Sequence, residues 1–115
     1  MLYQMYINVM KESILENAIL ELANTKYECY AFKIPDQREV REGAYRKHKF
    51  MPRGIPDICL FLLRGRVVFI EVKTDVGVLS RYQKIFHAIL RRFGVPIHVV
   101  RNMTEAKKLL DELTQ

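Results

Sequence analysis

The chain has 115 residues, of which 50% are hydrophobic, and its formal net charge is +6 at pH 7. This length and apolar content fit a single domain, residues 1–115, whose core needs no disulfide or structural metal. No apolar run approaches the roughly 20 residues of a membrane span. We therefore expect no membrane partner, and the excess of positive charge favours nucleic acid.

The start of the chain is predicted to form one helix and one strand. The helix covers Lys11–Asn24, because apolar residues recur there at helical spacing: Leu15, Ala18, Ile19 and Leu22. Residues 2–10 can either extend this helix or form an arm. The next run, residues 29–34, is rich in strand-forming side chains and is predicted to be the first strand.

The cysteines and the first ten residues bear on the cellular compartment. Residues 1–10 lack the basic start and the small-residue cleavage site of a signal peptide. Cys29 and Cys59 lie in apolar runs and form no CxxC motif, so structural zinc is not expected. We expect both to be buried free thiols in a reducing cytoplasm.

A long polar segment, residues 35–54, follows the first strand and is basic near its end. Loops of this length inside compact domains are usually functional or disordered. We expect its basic side chains to bind DNA phosphates: Arg46, Lys47, Lys49 and Arg53. The rings of Tyr45 and Phe50 can stack on unpaired bases. The alternative is a flexible, solvated loop.

A hairpin is predicted next. Two apolar runs, residues 58–63 and 67–72, flank the segment Arg64–Arg66, whose central glycine suits a short loop. Both runs are apolar on both faces, as central strands of a sheet are.

A helix, a strand and a last helix complete the predicted order αβββαβα. The helix runs from Ser80 to about Phe93, with an apolar stripe of Tyr82, Ile85, Phe86, Ile89 and Phe93. We interpret His87 on this helix as structural. The strand covers residues 97–100, and Thr104 is predicted to cap the last helix.

Three charged residues lie within or directly next to the two apolar runs of the hairpin: Asp57, Glu71 and Lys73. Burying an unpaired charge is costly, and a divalent cation would compensate the carboxylates. Side chains alternate along a strand, so Glu71 and Lys73 share one face. With Leu63 opposite Val67, Asp57 lies on that face, opposite Lys73 and diagonal to Glu71. The site therefore requires that residue numbers paired across the hairpin sum to an even value.

These groups can carry hydrolytic chemistry. The carboxylates of Asp57 and Glu71, with the backbone carbonyl of Val72, can hold Mg²⁺ or Mn²⁺. Lys73 can orient a water molecule or stabilise charge on a phosphate. The alternative is that Asp57 caps a turn after Pro56, and that Glu71 and Lys73 lie at a solvated strand end.

Three motifs occur together in this chain: Gly54-Ile55-Pro56-Asp57, Glu71-Val72-Lys73 and Ser80-x-x-Gln83. In this order and spacing they resemble the virus-type replication-repair nuclease (VRR-Nuc) branch of the PD-(D/E)xK nucleases, in its stand-alone, phage-type form. The resemblance covers residues 12–100. It implies an α/β, restriction-endonuclease-like fold, with an αβββαβ core and a mixed central sheet flanked by helices. It also implies that Asp57, Glu71 and Lys73 are catalytic with Mg²⁺ or Mn²⁺.

The resemblance adds two residues to the site. The family places a glutamate of the first helix near the metal, and Glu16 fits its distance from the following strand. We interpret Glu12, on the same helical face, as an ordinary solvated charge. Gln83 matches the family glutamine, although Ser80-x-x-Gln83 is also the sequence of a capping box. We interpret Ser80 as a cap.

The resemblance implies a metal-dependent DNA endonuclease. Stand-alone members tend to be homodimers that resolve four-way (Holliday) junctions, and a two-fold dimer suits a two-fold substrate. Cleavage of flaps or other branched DNA is the alternative activity. A non-catalytic basic DNA-binding module on the same fold is the alternative class, against which the intact Asp57, Glu71 and Lys73 argue.

Overall fold

The structure, a computed structural model, describes residues 2–35 and 52–115, and for residues 3–10 only the backbone. The predicted basic residues Arg46, Lys47 and Lys49 lie outside the described residues. Those described form, in chain order, α1 (Leu2–Lys26), β1 (Cys29–Lys33), β2 (Ile58–Leu62), β3 (Arg66–Val72), α2 (Arg81–Arg92), β4 (Ile97–Val100) and α3 (Met103–Leu113). This is the predicted order, and α1 extends to Leu2. No helix in this part of the chain is long and apolar enough to cross a membrane.

The four strands form one mixed sheet in the order β1-β2-β3-β4. The first three are antiparallel to their neighbours, and β4 runs parallel to β3. One face of the sheet packs on α1 and α3, and these helices contribute Ile19, Ala23, Ala106, Leu109 and Leu110 to the core. Because α2 reaches the sheet from the other face, the predicted α/β architecture with helices on both sides is confirmed.

The hairpin loop lies one residue earlier than predicted. Leu62 pairs with Arg66, so the loop is Leu63–Gly65. Arg64 and Gly65 both adopt positive φ, at 67° and 71°. This conformation completes the turn by Gly65 and leaves Arg66 extended, as the first residue of β3.

The shift of the loop by one residue changes which residues face each other at the far end of the hairpin. Ile58 pairs with Ile70, and the paired numbers sum to an even value, as the site requires. Continued by one residue, this register puts Asp57 opposite Glu71, whereas the sequence predicted Asp57 opposite Lys73. The correction brings the two carboxyl groups closer together than predicted.

Most of the apolar stripe of α2 is exposed to solvent. Tyr82, Ile85 and Ile89 are 46–47% exposed and Phe93 is 75% exposed, while the buried residues of α2 are His87 and Leu90. The helix is rotated so that its polar groups reach a buried carboxyl group of β3, described below.

Smaller differences concern the last helix and the cysteines. The residue that caps α3 is Asn102 rather than Thr104: its side-chain oxygen accepts the Glu105 N–H at 2.9 Å. Asn102 is the last extended residue before the helix, which is the position a cap must occupy. Cys29 and Cys59 are free thiols, the first partly and the second fully buried.

Gly54 fixes the turn before β2 against the first turn of α2. Its φ is +79°, and a Cβ at this position would lie 2.3 Å from the Tyr82 carbonyl oxygen and 2.6 Å from the Gln83 nitrogen. Glycine satisfies both conditions because it has no Cβ. The turn that carries Asp57 is therefore held directly against the helix that carries Gln83.

We expect Gly54→Ala to lower the free energy of unfolding by about 3 kcal/mol, from about 1–2 kcal/mol for the left-handed backbone and a similar amount for the clash. Urea denaturation followed by circular dichroism measures this loss. Gly65→Ala is the matched control, because Gly65 has φ +71° but no atom within 4 Å of its Cβ position. It should lose only the backbone part, and equal losses in both variants would contradict the close contact.

Candidate active site

A cavity of about 590 Å³ opens at the edge of the sheet where β1 and β3 end and β2 begins. Helices α1 and α2 contribute to its walls. All the predicted catalytic residues line it: Glu16, Asp57, Glu71, Lys73 and Gln83. These residues come from four separate segments of the chain, so the fold brings together what the sequence keeps apart.

Asp57 and Glu71 meet on the floor of this cavity. One oxygen of Asp57, Oδ2, accepts the backbone N–H of Val72 at 2.7 Å. Glu71 is only 1% exposed, and both burial and the neighbouring Asp57 raise its pKa. Two adjacent carboxyl groups repel each other when both are ionised, unless a proton or a cation lies between them.

The surroundings of Glu71 favour its protonated form. Burial raises the pKa of Glu71 from its ordinary value of 4.5 to about 10, and the hydrogen bond and charge of Asp57 add to this effect. Glu12 raises the same pKa, while Lys73 lowers it. The buried carboxyl group therefore holds a proton at neutral pH when no cation is added.

Two side chains of α2 hold Glu71 from the other side. The Gln83 amide nitrogen donates to Glu71 Oε2 at 3.2 Å, and His87 Nε2 lies 3.0 Å from Glu71 Oε1. The amide oxygen of Gln83 meanwhile accepts the Ser80 N–H at 2.8 Å, and Ser80 Oγ accepts the Gln83 N–H, which completes the predicted capping box. Gln83 thus caps the start of α2 and hydrogen-bonds to Glu71 at the same time.

His87 is the residue of the site that the sequence reasoning missed. It is 0% exposed, and burial lowers its pKa, an effect to which Arg91 and Lys73 add and which Asp57 opposes. One signal was available: His87 lies four residues after Gln83, so the two share a helical face. A polar face of this kind beside an apolar stripe indicates a buried polar partner.

Lys73 begins a segment that β4 holds in place. The backbone N–H of Lys73 donates to the Val100 carbonyl at 3.0 Å. The Arg101 guanidinium then donates to the carbonyl oxygens of Thr74 and Gly77, both at 2.7 Å. Arg101, which the sequence reasoning did not single out, therefore fixes the turn that follows Lys73.

Both glutamates of α1 reach the cavity. Glu16 is buried, with 8% of its surface exposed. Glu12 is partly buried and also lines the cavity, although we expected it to be an ordinary solvated charge. The reason is their spacing: residues four apart on a helix lie on the same face.

Arg53 lies at the rim of the cavity, where its guanidinium stacks on the Tyr82 ring of α2. Its guanidinium carbon lies 4.9 Å from the centroid of the Tyr82 ring, and its Nη1 donates to the Tyr82 hydroxyl at 2.9 Å. Both residues are exposed. Of the four basic residues predicted to bind DNA, Arg53 is the one within the described residues, and it borders the cavity.

Comparisons with known proteins agree with this geometry. The model of the VRR-NUC domain family matches residues 10–104. The chain belongs to the VRR-NUC domain family. A solved structure titled "VRR_NUC domain" matches with a TM-score of 0.65 and 24% identity, over 88% of this chain and 95% of that chain, and supports the same fold. No curated protein matches the chain.

The family membership raises the question of whether these residues fit a metal ion. PD-(D/E)xK nucleases generally use divalent metals, and the groups that face this cavity are oxygen donors, which hard divalent cations prefer. No group of three or more His, Cys, Asp or Glu side chains within residues 2–35 and 52–115 has metal-binding geometry. The carboxyl oxygens of Asp57 and Glu71 nevertheless suit a divalent cation.

Adding Mn²⁺ to this VRR-NUC domain should release a proton, because Glu71 must be deprotonated to bind a metal. With its pKa raised to about 10, proton and metal compete through the neutral range. The affinity for Mn²⁺ should therefore fall by about tenfold for each unit of decrease in pH. Calorimetric titration at pH 6, 7 and 8, in buffers of different ionisation enthalpy, measures both the affinity and the proton.

The matched control is Glu21→Gln, which removes an exposed carboxylate of α1 away from the cavity. It should leave the released proton and the pH dependence unchanged. Binding of Mn²⁺ that is independent of both pH and buffer would show that Glu71 is already ionised.

Proposed function

We propose that this VRR-NUC domain is a metal-dependent, structure-selective DNA endonuclease that hydrolyses phosphodiester bonds, with four-way (Holliday) junctions as its substrate. The observation that carries this proposal is the contact between the Asp57 and Glu71 side chains in a cavity that also contains Lys73. A buried pair of carboxyl groups destabilises a fold unless it is compensated. A site for a divalent cation explains why this pair is present.

Each group of the cavity has a role in this chemistry. When bound, Mg²⁺ or Mn²⁺ polarises the phosphate and promotes ionisation of water. Asp57, Glu71 and the Val72 carbonyl would hold the cation, with Glu16 approaching from α1. The Lys73 ammonium group would orient the attacking water or balance the charge that develops on the phosphate.

Basic groups beside the cavity support DNA as the substrate. The net charge of +6 favours a polyanion, and Arg53 is exposed at the rim. The segment with Arg46, Lys47 and Lys49 leaves the described structure at Pro35 and returns at Pro52, and both of these residues line the cavity. We propose that these four basic residues bind the phosphates that flank the scissile one.

The proposal also includes a homodimer, because a junction with two-fold symmetry is cut most simply by two symmetric sites. The exposed stripe of α2 supports self-association: Tyr82, Ile85, Ile89 and Phe93 present four large apolar side chains on one helix. Contiguous exposed apolar surface of this kind marks interaction sites.

A cleavage assay tests the activity. Four-way, flap and linear DNA are incubated with the protein in Mg²⁺, in Mn²⁺ and in EDTA. We expect paired, symmetric cuts in the four-way junction that require metal. Lys73→Ala should lower the cleavage rate by about 10²–10³-fold, since it removes a charge that stabilises the transition state.

The control for that substitution is Lys107→Ala, which removes an exposed charge of α3, a helix that packs on the opposite face of the sheet from α2. It should cleave at the wild-type rate. Preferential cutting of the flap would favour the alternative nuclease activity. Binding of DNA without cleavage of any substrate would favour a non-catalytic DNA-binding module.

The oligomeric state is tested by light scattering on a size-exclusion column. We expect a dimer, and Ile89→Glu should raise its dissociation constant at least about 30-fold, equivalent to about 2 kcal/mol. Ile14→Glu is the matched control, because Ile14 is also exposed, at 65%, but lies on α1. A monomeric wild-type protein, or equal effects of the two substitutions, would contradict the α2 stripe as the dimer surface.

A further inference from the structure

We propose that His87 is a positioning residue for the metal site: its Nε2–H donates to Glu71 Oε1 and so directs Oε2 of Glu71 into the cavity. This inference rests on the proposed function, because it assigns Glu71 the role of a ligand to a divalent cation. It gives a function to a side chain that lies outside the motifs of the sequence.

The positions of Gln83 and His87 show which carboxyl oxygen faces the cavity. Gln83 lines the cavity and donates to Oε2 of Glu71 at 3.2 Å. His87 does not line the cavity and lies 3.0 Å from the other oxygen, Oε1. His87 therefore lies behind Glu71, so it touches neither the metal nor the substrate, and it acts through Glu71.

Packing alone does not explain a histidine at this place. His87 is 0% exposed, and its Nδ1 has no hydrogen-bond partner among the residues that the structure describes. A buried polar atom without a partner destabilises a fold by about 1–3 kcal/mol. Leucine would bury comparable apolar surface without that penalty. What the imidazole adds is an N–H group directed at Glu71.

The support for this N–H group is rigid, as the positioning of a ligand requires. Helix α2 is fixed at its start by the Ser80–Gln83 capping box and by the contact of Gly54 with the Tyr82 carbonyl. Gln83 and His87 are one helical turn apart and reach the two oxygens of one carboxyl group. A carboxylate held at both oxygens has a single orientation before the cation arrives. Hydrogen bonds behind a ligand typically change metal affinity by about 10–100-fold.

The test compares two substitutions of His87 with a packing control. His87→Leu keeps the apolar volume and removes the donor, while His87→Gln places an amide N–H near the position of Nε2. Leu90→Ala removes a buried side chain of the same helix that does not touch Glu71. Mn²⁺ binding is measured without DNA, by calorimetry and by electron paramagnetic resonance of the free ion. The melting temperature and DNA cleavage against Mn²⁺ concentration are measured in parallel.

We expect His87→Leu to weaken Mn²⁺ binding by about 10–100-fold. Its melting temperature should change little, because the variant loses both the unpartnered Nδ1 and the group that contacts Glu71 Oε1. His87→Gln should recover most of the affinity. In cleavage, His87→Leu should need correspondingly more Mn²⁺ for half-maximal rate. Leu90→Ala should lower the melting temperature and leave the Mn²⁺ affinity unchanged.

The inference and the proposed function fail in different ways. Wild-type affinity for Mn²⁺ in His87→Leu, or an equal loss in His87→Leu and His87→Gln, would overturn the role of His87 and leave the nuclease proposal standing. Mn²⁺ binding that depends on His87, in a protein that cleaves no DNA, would overturn the nuclease proposal and retain the positioning role. A wild-type protein that binds no Mn²⁺ would overturn both.

Discussion

The site depends on one pair of carboxyl groups, the partly buried Asp57 and the buried Glu71, which the β2–β3 register places face to face. Each partner is supported from a different direction. The Val72 N–H holds Asp57, while Gln83 and His87 hold Glu71 from α2. A buried charge without such support destabilises a protein by several kcal/mol. The position of α2 on the sheet follows from this requirement.

The rotation of α2 is a compromise between chemistry and packing. Full burial of one large apolar side chain contributes about 1.5–3 kcal/mol, and Tyr82, Ile85, Ile89 and Phe93 remain 46–75% exposed. In place of that gain, the helix directs the polar side chains of Gln83 and His87 at Glu71. The core is therefore formed mainly on the other face of the sheet, by α1 and α3. The apolar core therefore lies on one face of the sheet, and the α2 side chains that contact Glu71 lie on the other face.

Local rules were enough to predict the elements and the central carboxyl pair. Alternation along β3 placed Glu71 and Lys73 on one face, and the even pairing across the hairpin placed Asp57 with them. The capping signal at Ser80 correctly located the N-cap of α2. These features depend on neighbours in sequence or on a single hairpin, so a pattern in the sequence determines them.

The features that escaped prediction depend on contacts between distant segments. The loop lies one residue earlier than predicted because Arg64 adopts a positive φ. The sequence gives no signal that a residue other than glycine will adopt that conformation. The exposure of the α2 stripe was not predicted, since the sequence does not show that Gln83 and His87 would contact Glu71. Arg101 contacts carbonyls 24 and 27 residues earlier in the chain. No local pattern encodes such a distance.

The contacts of β4 and Arg101 with the segment that begins at Lys73 determine how far this domain can be truncated. A fragment that ended at Gly94 would retain every motif by which a nuclease of this family is recognised in sequence. It would lack the Val100 carbonyl and the Arg101 guanidinium, which hold the backbone on both sides of the Thr74–Gly77 turn. The segment that contains the motifs is therefore shorter than the segment needed to hold their backbone in place. The region matched to the family, which ends at residue 104, includes these contacts.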